Sequence, residues 1–398
     1  MDEREKASTT LCGGKQMTRA IEGRLLQSGE AVRIELRAGR VASVTPLQGS
    51  PEGLPWLAPG LADIQVNGSA GYDLNGDDPS PETVAGLIAY LRSQGVLWCC
   101  PTVVTASLEA MEARLHAISE ACNRFREVSD AVLGIHLEGP FISPEDGPRG
   151  AHPLEQVRDA SREVFDRLNR AAGGRIAILT LAPEAPGAIE LIAELSEALP
   201  VVALGHTGAS RPVIRQAVLA GASLSTHLGN GAHAMLPRHD NYLWEQLAAD
   251  ELWASFIPDG HHLPAPVLKA MVRAKGVERS ILTSDAVFVA GLPPGEYQFA
   301  GHAVDLTEAG RVNLAGTPYL AGSGLSLPEG VFRCRAMTGL PLPECWRMAS
   351  ANPRRLLRAL PVGDRITPCV PASSIVAFES TPTGFRWVDL DLRSDGAM

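Results

Sequence analysis

From Thr18 the chain alternates apolar and polar residues in AIEGRLL, AVRIELRAG and RVASVTPL, with glycine-containing turns between the runs. That period predicts short antiparallel strands. SSIVAFES and GFRWVDLDL repeat the texture near the other end, after a stretch rich in Pro and Gly. Strands without local partners must pair elsewhere to satisfy their backbone groups. The two ends therefore predict one small β-sandwich domain over residues 18–58 plus 360–398, while the polar, aperiodic residues 1–17 read as a mobile leader.

Between residues 59 and 359 the pattern changes to an apolar run, a loop and a helix-like segment, repeated. LADIQV precedes ETVAGLIAYLRSQG, LWCCPTVVT precedes LEAMEARLHAISEACNRF, and AVLGIHLE precedes a helical stretch over 155–171. IAILTLAPE leads to GAIELIAELSEAL, VVALGH to RPVIRQAVLAGA, ASLSTH to YLWEQLAAD, LWASFIP to APVLKAMVRAKG, and SILTSDA to the last third. Eight such units have the spacing of parallel strands joined by crossover helices and predict an α/β fold, a closed (β/α)8 TIM barrel over 59–359. A doubly wound open sheet is the alternative; it would prefer a Gly-rich phosphate loop, and neither GxGxxG nor GxxxxGK[ST] occurs.

Four of the apolar runs end abruptly in a side chain that carries chemistry. AVLGIHLEG over 131–139 delivers Glu138, VVALGH delivers His206, ASLSTH delivers His227 and SILTSD delivers Asp285. A barrel enzyme assembles its site from the C-terminal ends of its strands. Singly, a strand histidine is more often a satisfied core residue, a glutamate is usually solvated, and Asp285 would serve as a helix cap. Together, one carboxylate and two imidazoles suit Zn²⁺ or another divalent first-row metal with an open position. A Lewis acid there would activate water near neutral pH and polarise a carbonyl, which amide hydrolysis requires. Asp285 at the same mouth is placed to take a proton from the water and return it to a leaving amine.

A length of 398 residues fits one barrel plus an addition. With 45% hydrophobic and 20% charged residues, composition is that of a globular protein. The net charge of −10 argues against a nucleic-acid or anionic-membrane partner, so an anionic substrate would need local positive charge. Seven cysteines without a CxxC pair make a thiolate zinc site improbable and predict a reducing, cytoplasmic setting. MDEREKASTT lacks an apolar signal core and no run of about 18 apolar residues occurs, so a soluble, non-secreted protein is expected.

These residues lie within a larger set of motifs. PGLADIQVNGSAGYD at 59–73, PTVVT at 101–105, HLEGPFISPEDGPRGAH at 136–152, TLAPE at 180–184, GHTGAS at 205–210, THLGN at 226–230, DGHH at 259–262, TSDA at 283–286, AGSGLSLPEGV at 321–331 and MASANP at 348–353 span most of the chain. As a set they resemble the amidohydrolase superfamily, and within it the N-acetylglucosamine-6-phosphate deacetylases. Many amidohydrolases carry His-x-His after the first barrel strand to hold a second metal; here that place reads Gln65-Val66-Asn67, and neutral amides are poor ligands for zinc.

The resemblance therefore implies a single divalent ion, Zn²⁺ or Fe²⁺ or another first-row metal, on Glu138, His206 and His227, with Asp285 as general base and acid. It implies that His262 polarises the acetyl carbonyl, with His261 its adjacent competitor, and that His152, Asn230 and Gly231 contact the sugar phosphate. One departure matters. Where the family continues into an HREPG-like phosphate grip, this chain reads THLGNGAHAMLPRHDNYLW. Arg238 keeps its separation from Asn230, but His239-Asp240-Asn241 replaces Glu-Pro-Gly; a guanidinium there either grips phosphate or lies in solvent. The same resemblance implies a homodimer with this arginine acting across the interface.

The expected activity is metal-dependent hydrolysis of the acetamide of N-acetylglucosamine 6-phosphate. The alternatives are a deacetylase of an unphosphorylated N-acetyl amino sugar or other N-acyl compound, and a non-catalytic barrel that only binds a sugar phosphate.

Overall fold

The computed structural model describes residues 19–299, 302–316, 320–359, 363 and 365–390. The expected leader at 1–17 lies outside them.

Eight parallel strands form the central sheet, in the chain order Leu61–Val66, Val96–Val104, Ile135–Glu138, Ile176–Leu181, Val201–Leu204, Leu224–Ser225, Trp253–Phe256 and Ser280–Leu282. Every residue of LADIQV and IAILTL is buried, which is why these runs show no alternation. The seam between the last and first strands is closed beyond the regular ladder. The Asp285 N–H donates to the Gln65 carbonyl at 3.0 Å, the Asn67 N–H donates to the Ala286 carbonyl at 2.8 Å, and Val66 and Ala286 form a parallel bridge. The result is a barrel with its mouth at the strands' C-terminal ends.

Three of the crossover helices begin where a serine side chain satisfies a first free amide. Ser80, Ser107 and Ser161 accept from the amides of Thr83, Ala110 and Val164 at the starts of Pro81–Ser93, Leu108–Arg124 and Arg162–Ala171. That cap explains one difference from the sequence expectation: the helix predicted over 155–171 starts at Arg162, and only a 3₁₀ turn occupies Leu154–Gln156. The strand predicted from Ala131 is also shorter. Ala131 closes a helix that begins at Arg126, Gly134 turns the chain at φ +147°, and regular pairing covers Ile135–Glu138. An inserted three-stranded antiparallel sheet, Gly295–Phe299, His302–Leu306 and Val312–Leu314, follows the eighth strand; the sequence pattern had not foreshadowed it.

The alternating runs at the two chain ends meet in one six-stranded sheet. Its order is Gly384–Val388, Ile375–Thr381, Trp56–Pro59, Arg19–Leu25, Ala31–Arg37, Arg40–Pro46, antiparallel except where Arg19–Leu25 runs beside Trp56–Pro59. Ile21, Ile34, Leu57 and Ile375 on its inner face pack with Ile366 and Val370. The sheet is tied to the barrel through Trp346, which stacks on Phe378 with ring centroids 4.7 Å apart and donates its indole N–H to the Pro59 carbonyl at 2.8 Å. No helix among the described residues is long and apolar enough to cross a membrane.

Candidate metal centre and active site

Glu138 is the last residue of the third barrel strand, and His206, His227 and Asp285 follow the ends of the fifth, sixth and eighth. The latter three have positive φ, +50°, +27° and +48°. This region costs a non-glycine residue about 1–3 kcal/mol, and such strain collects at functional sites. The bend lets each chain leave its strand while its side chain stays at the mouth.

The donor atoms of Glu138, His206 and His227 lie within 4.8 Å of one another, all buried. Glu138 Oε1 is 3.1 Å from His206 Nε2, 2.9 Å from His227 Nε2 and 2.9 Å from Gln65 Nε2, which donates to it. His206 Nδ1 lies 2.9 Å from the Pro148 carbonyl, which can only accept, so Nδ1 carries the hydrogen of the neutral ring. Its Nε2 lone pair then faces a carboxylate lone pair, a contact that calls for a cation between them. His227 Nδ1 is buried without a partner. Two imidazoles and a carboxylate converging in this way fit a divalent ion held by three protein ligands.

The two amides in place of His-x-His turn out to be donors to the site's acids. While Gln65 donates to Glu138, Asn67 Nδ2 donates to Asp285 Oδ1 at 2.8 Å. Asp285 is only 9% exposed, and burial first, then the negative charge of Glu138, pushes its carboxyl up to about 8. Beneath the site His136 spans the Ile64 carbonyl at 3.0 Å and the Thr180 hydroxyl at 2.7 Å, and Thr180 pairs with Thr226 at 2.7 Å. Burial lowers His136 to about 4, so this polar floor is neutral.

His152 comes to the cluster: its Nε2 is 3.3 Å from His206 Nε2, and burial, then His206, lowers it to about 3. Its Nδ1 is buried without a partner. Asn230 donates its side-chain amide to the His227 carbonyl at 3.1 Å. Gly231, at φ +54°, allows its loop to lie on His206, since a Cβ there would stand 2.8 Å from His206 Nδ1. On the loop after the seventh strand His262 Nδ1 is 2.6 Å from Asp259 Oδ2, whereas His261 turns away to the Ala309 carbonyl at 3.0 Å. Arg238 is exposed, and its carbonyl accepts from Trp244 Nε1 at 3.1 Å.

Sequence reasoning missed Asp259. The i to i+3 spacing inside DGHH was the available signal.

No protein-family model matches the chain. An N-acetylgalactosamine-6-phosphate deacetylase of Escherichia coli O157:H7 is 32% identical over 371 residues, 92% of this chain and 96% of that protein. An N-acetylglucosamine-6-phosphate deacetylase of Bacillus subtilis (strain 168) is 33% identical over 303 residues, 76% of this chain and 75% of that protein. Among solved structures, the N-acetyl-D-glucosamine-6-phosphate deacetylase of Mycobacterium smegmatis superposes with a TM-score of 0.82 at 25% identity, covering 93% of this chain and 100% of that one.

Proposed function

We infer the reaction from one premise: the chain belongs to the N-acetylglucosamine-6-phosphate deacetylase family of amidohydrolases. The protein hydrolyses the acetamide of N-acetylglucosamine 6-phosphate, releasing glucosamine 6-phosphate and acetate. The observation that carries this is the convergence of Glu138, His206 and His227 at the barrel mouth, with Asp285 buried and its carboxyl raised by that burial and by the charge of Glu138.

Glu138, His206 and His227 hold the single divalent ion, and zinc is the metal their donor types favour. Bound there, the ion supplies Lewis acidity that makes water nucleophilic near neutral pH. Asp285 accepts the proton of the attacking water and returns it to the departing amine. Asn67 holds Asp285 Oδ1 in place for both transfers. His262 meets the acetyl carbonyl, and His152, Asn230 and Gly231 line the sugar side. The six described cysteines are free and five are buried, which supports a reducing, cytoplasmic setting. Met235, 90% exposed on the Arg238 loop, and Trp244, 57% exposed in the helix Tyr242–Ala248 that follows it, support a homodimer formed through this region.

A second reading keeps the chemistry and drops the phosphate. The exposure of Arg238 on a loop reading His239-Asp240-Asn241 is the observation that favours it.

Acetate release from N-acetylglucosamine 6-phosphate by zinc-loaded, chelator-stripped and zinc-restored protein tests the proposal. Activity that follows the metal supports it. Undiminished activity in the stripped protein, verified metal-free, contradicts it.

A further inference from the structure

We propose that Asp259 is the positioning residue for His262, fixing the ring through Nδ1 so that Nε2 alone is left to meet the substrate. This rests on reading His262 as a substrate contact.

Asp259 is 3% exposed, on the loop that leaves the seventh barrel strand. One carboxylate oxygen does loop work: Oδ1 accepts the backbone N–H groups of His261 and His262, both at 2.8 Å. The Asp259 carbonyl accepts from Arg333 Nη1 at 2.6 Å, and Arg333 is in turn paired with Glu329, so the turn is pinned to the helix Leu327–Thr338. A purely structural aspartate would be satisfied by these contacts. The second oxygen goes further, with Oδ2 lying 2.6 Å from His262 Nδ1.

The carboxyl is ionised. Burial alone would raise it, but the hydrogen bond and charge of His262 and the two backbone amides outweigh burial and hold it below the usual range. An ionised carboxylate only accepts, so Nδ1 of His262 carries the hydrogen. Nε2 has no partner among the described residues, and it is absent from the buried polar atoms that lack one. It therefore keeps some solvent access although the side chain is only 8% exposed.

The neighbouring His261 shows the contrast. Its Nε2 bonds the Ala309 carbonyl at the turn of the inserted sheet, so that ring anchors the loop. Two adjacent histidines thus divide the work, and the buried carboxylate selects which of them keeps a free nitrogen.

Asp259→Asn tests this directly. The variant retains an oxygen for the two backbone amides and sets an NH₂ group opposite Nδ1, which reverses the ring's tautomer. The full-length, zinc-loaded protein labelled with ¹⁵N-histidine reports the tautomer, with His262→Gln identifying the signals. The wild type is expected to carry its His262 hydrogen on Nδ1 and the variant on Nε2. Zinc content and melting temperature should be unchanged, while kcat on N-acetylglucosamine 6-phosphate falls about 10²-fold with KM little altered. A wild-type hydrogen on Nε2, an unchanged tautomer in the variant, or a reversed tautomer with kcat within twofold of wild type would each overturn the proposal. The ring signals need no substrate. A wrong substrate would show as an inactive wild type, whereas a wrong role for Asp259 would show in the tautomer.

Discussion

At the scale of single residues, the site depends on three donors sharing one charge environment. Removing His206 or His227 leaves two protein ligands where a zinc site ordinarily has three. His206→Ala and His227→Ala are expected to fold, to lose stoichiometric metal on gel filtration, and to lose activity with it. One tightly held ion per chain in either variant would remove that histidine from the ligand set. Asp285 makes a separate prediction about pH. In the metal-free protein its carboxyl sits at about 8, so it holds a proton at neutral pH. A bound cation favours the ionised form, so metal binding near pH 7 should expel that proton, and above about pH 9 it should not. Calorimetry of zinc binding in buffers of different ionisation enthalpy measures the count. The release from Asp285→Asn should be smaller by up to about one proton, with kcat lowered about 10²-fold or more.

What was legible at this scale follows from physics of the chain. An apolar run that stops at a Glu, His or Asp suggests a strand end, which is why the placement of Glu138, His206, His227 and Asp285 at strand ends could be read without coordinates. Asn67 could be read only as a missing histidine. Its partner Asp285 is 218 residues away, and a contact across the barrel seam leaves no local pattern. Asp259 was hidden for a different reason: a short polar loop offers no period from which to infer a direction.

Among elements, the turn after the third barrel strand leaves no room for a side chain at Gly139. Gly139 has φ +88°, and a Cβ there would come within 2.1 Å of Thr105 Oγ1. Gly139→Ala therefore combines backbone strain with a clash beside Glu138 and should destabilise the fold by about 2 kcal/mol or more. Urea unfolding measures this, and a loss below about 0.5 kcal/mol would mean the turn has room that its geometry denies it. The strand itself taught where periodicity misleads. Ala131, Val132 and Leu133 are as apolar as the strand that follows, yet Ala131 ends a helix, Val132 makes only an isolated bridge to Cys99, and the regular ladder begins at Ile135. Burial on all sides makes helix and strand alike in short apolar runs. The inserted strands at 295–314 escaped notice because Gly and Pro around them read as loop.

The whole molecule joins a barrel that carries the site to a sheet made from both chain ends. That long-range pairing was legible because alternating runs cannot leave their backbone groups unpaired, and Trp56–Pro59 is the strand through which the C-terminal hairpin enters the sheet. Whether the 6-phosphate is required was not legible, because the loop around Arg238 departs from the family's pattern. Arg238 is exposed where the resemblance implies a phosphate grip. If it acts on the phosphate, as the resemblance implies, Arg238→Ala removes charge-assisted hydrogen bonds and lowers kcat/KM on the phosphorylated sugar by roughly 10- to 150-fold, with little change on the unphosphorylated one. Equal losses on both would assign the loop a general supporting role.

The comparison that bears most directly on the central claim is kcat/KM of the zinc-loaded protein for N-acetylglucosamine with and without its 6-phosphate. The account predicts acetate release from both, with the phosphorylated sugar preferred by at least the roughly 10-fold factor assigned to Arg238. Equal or higher kcat/KM on the unphosphorylated sugar would contradict it.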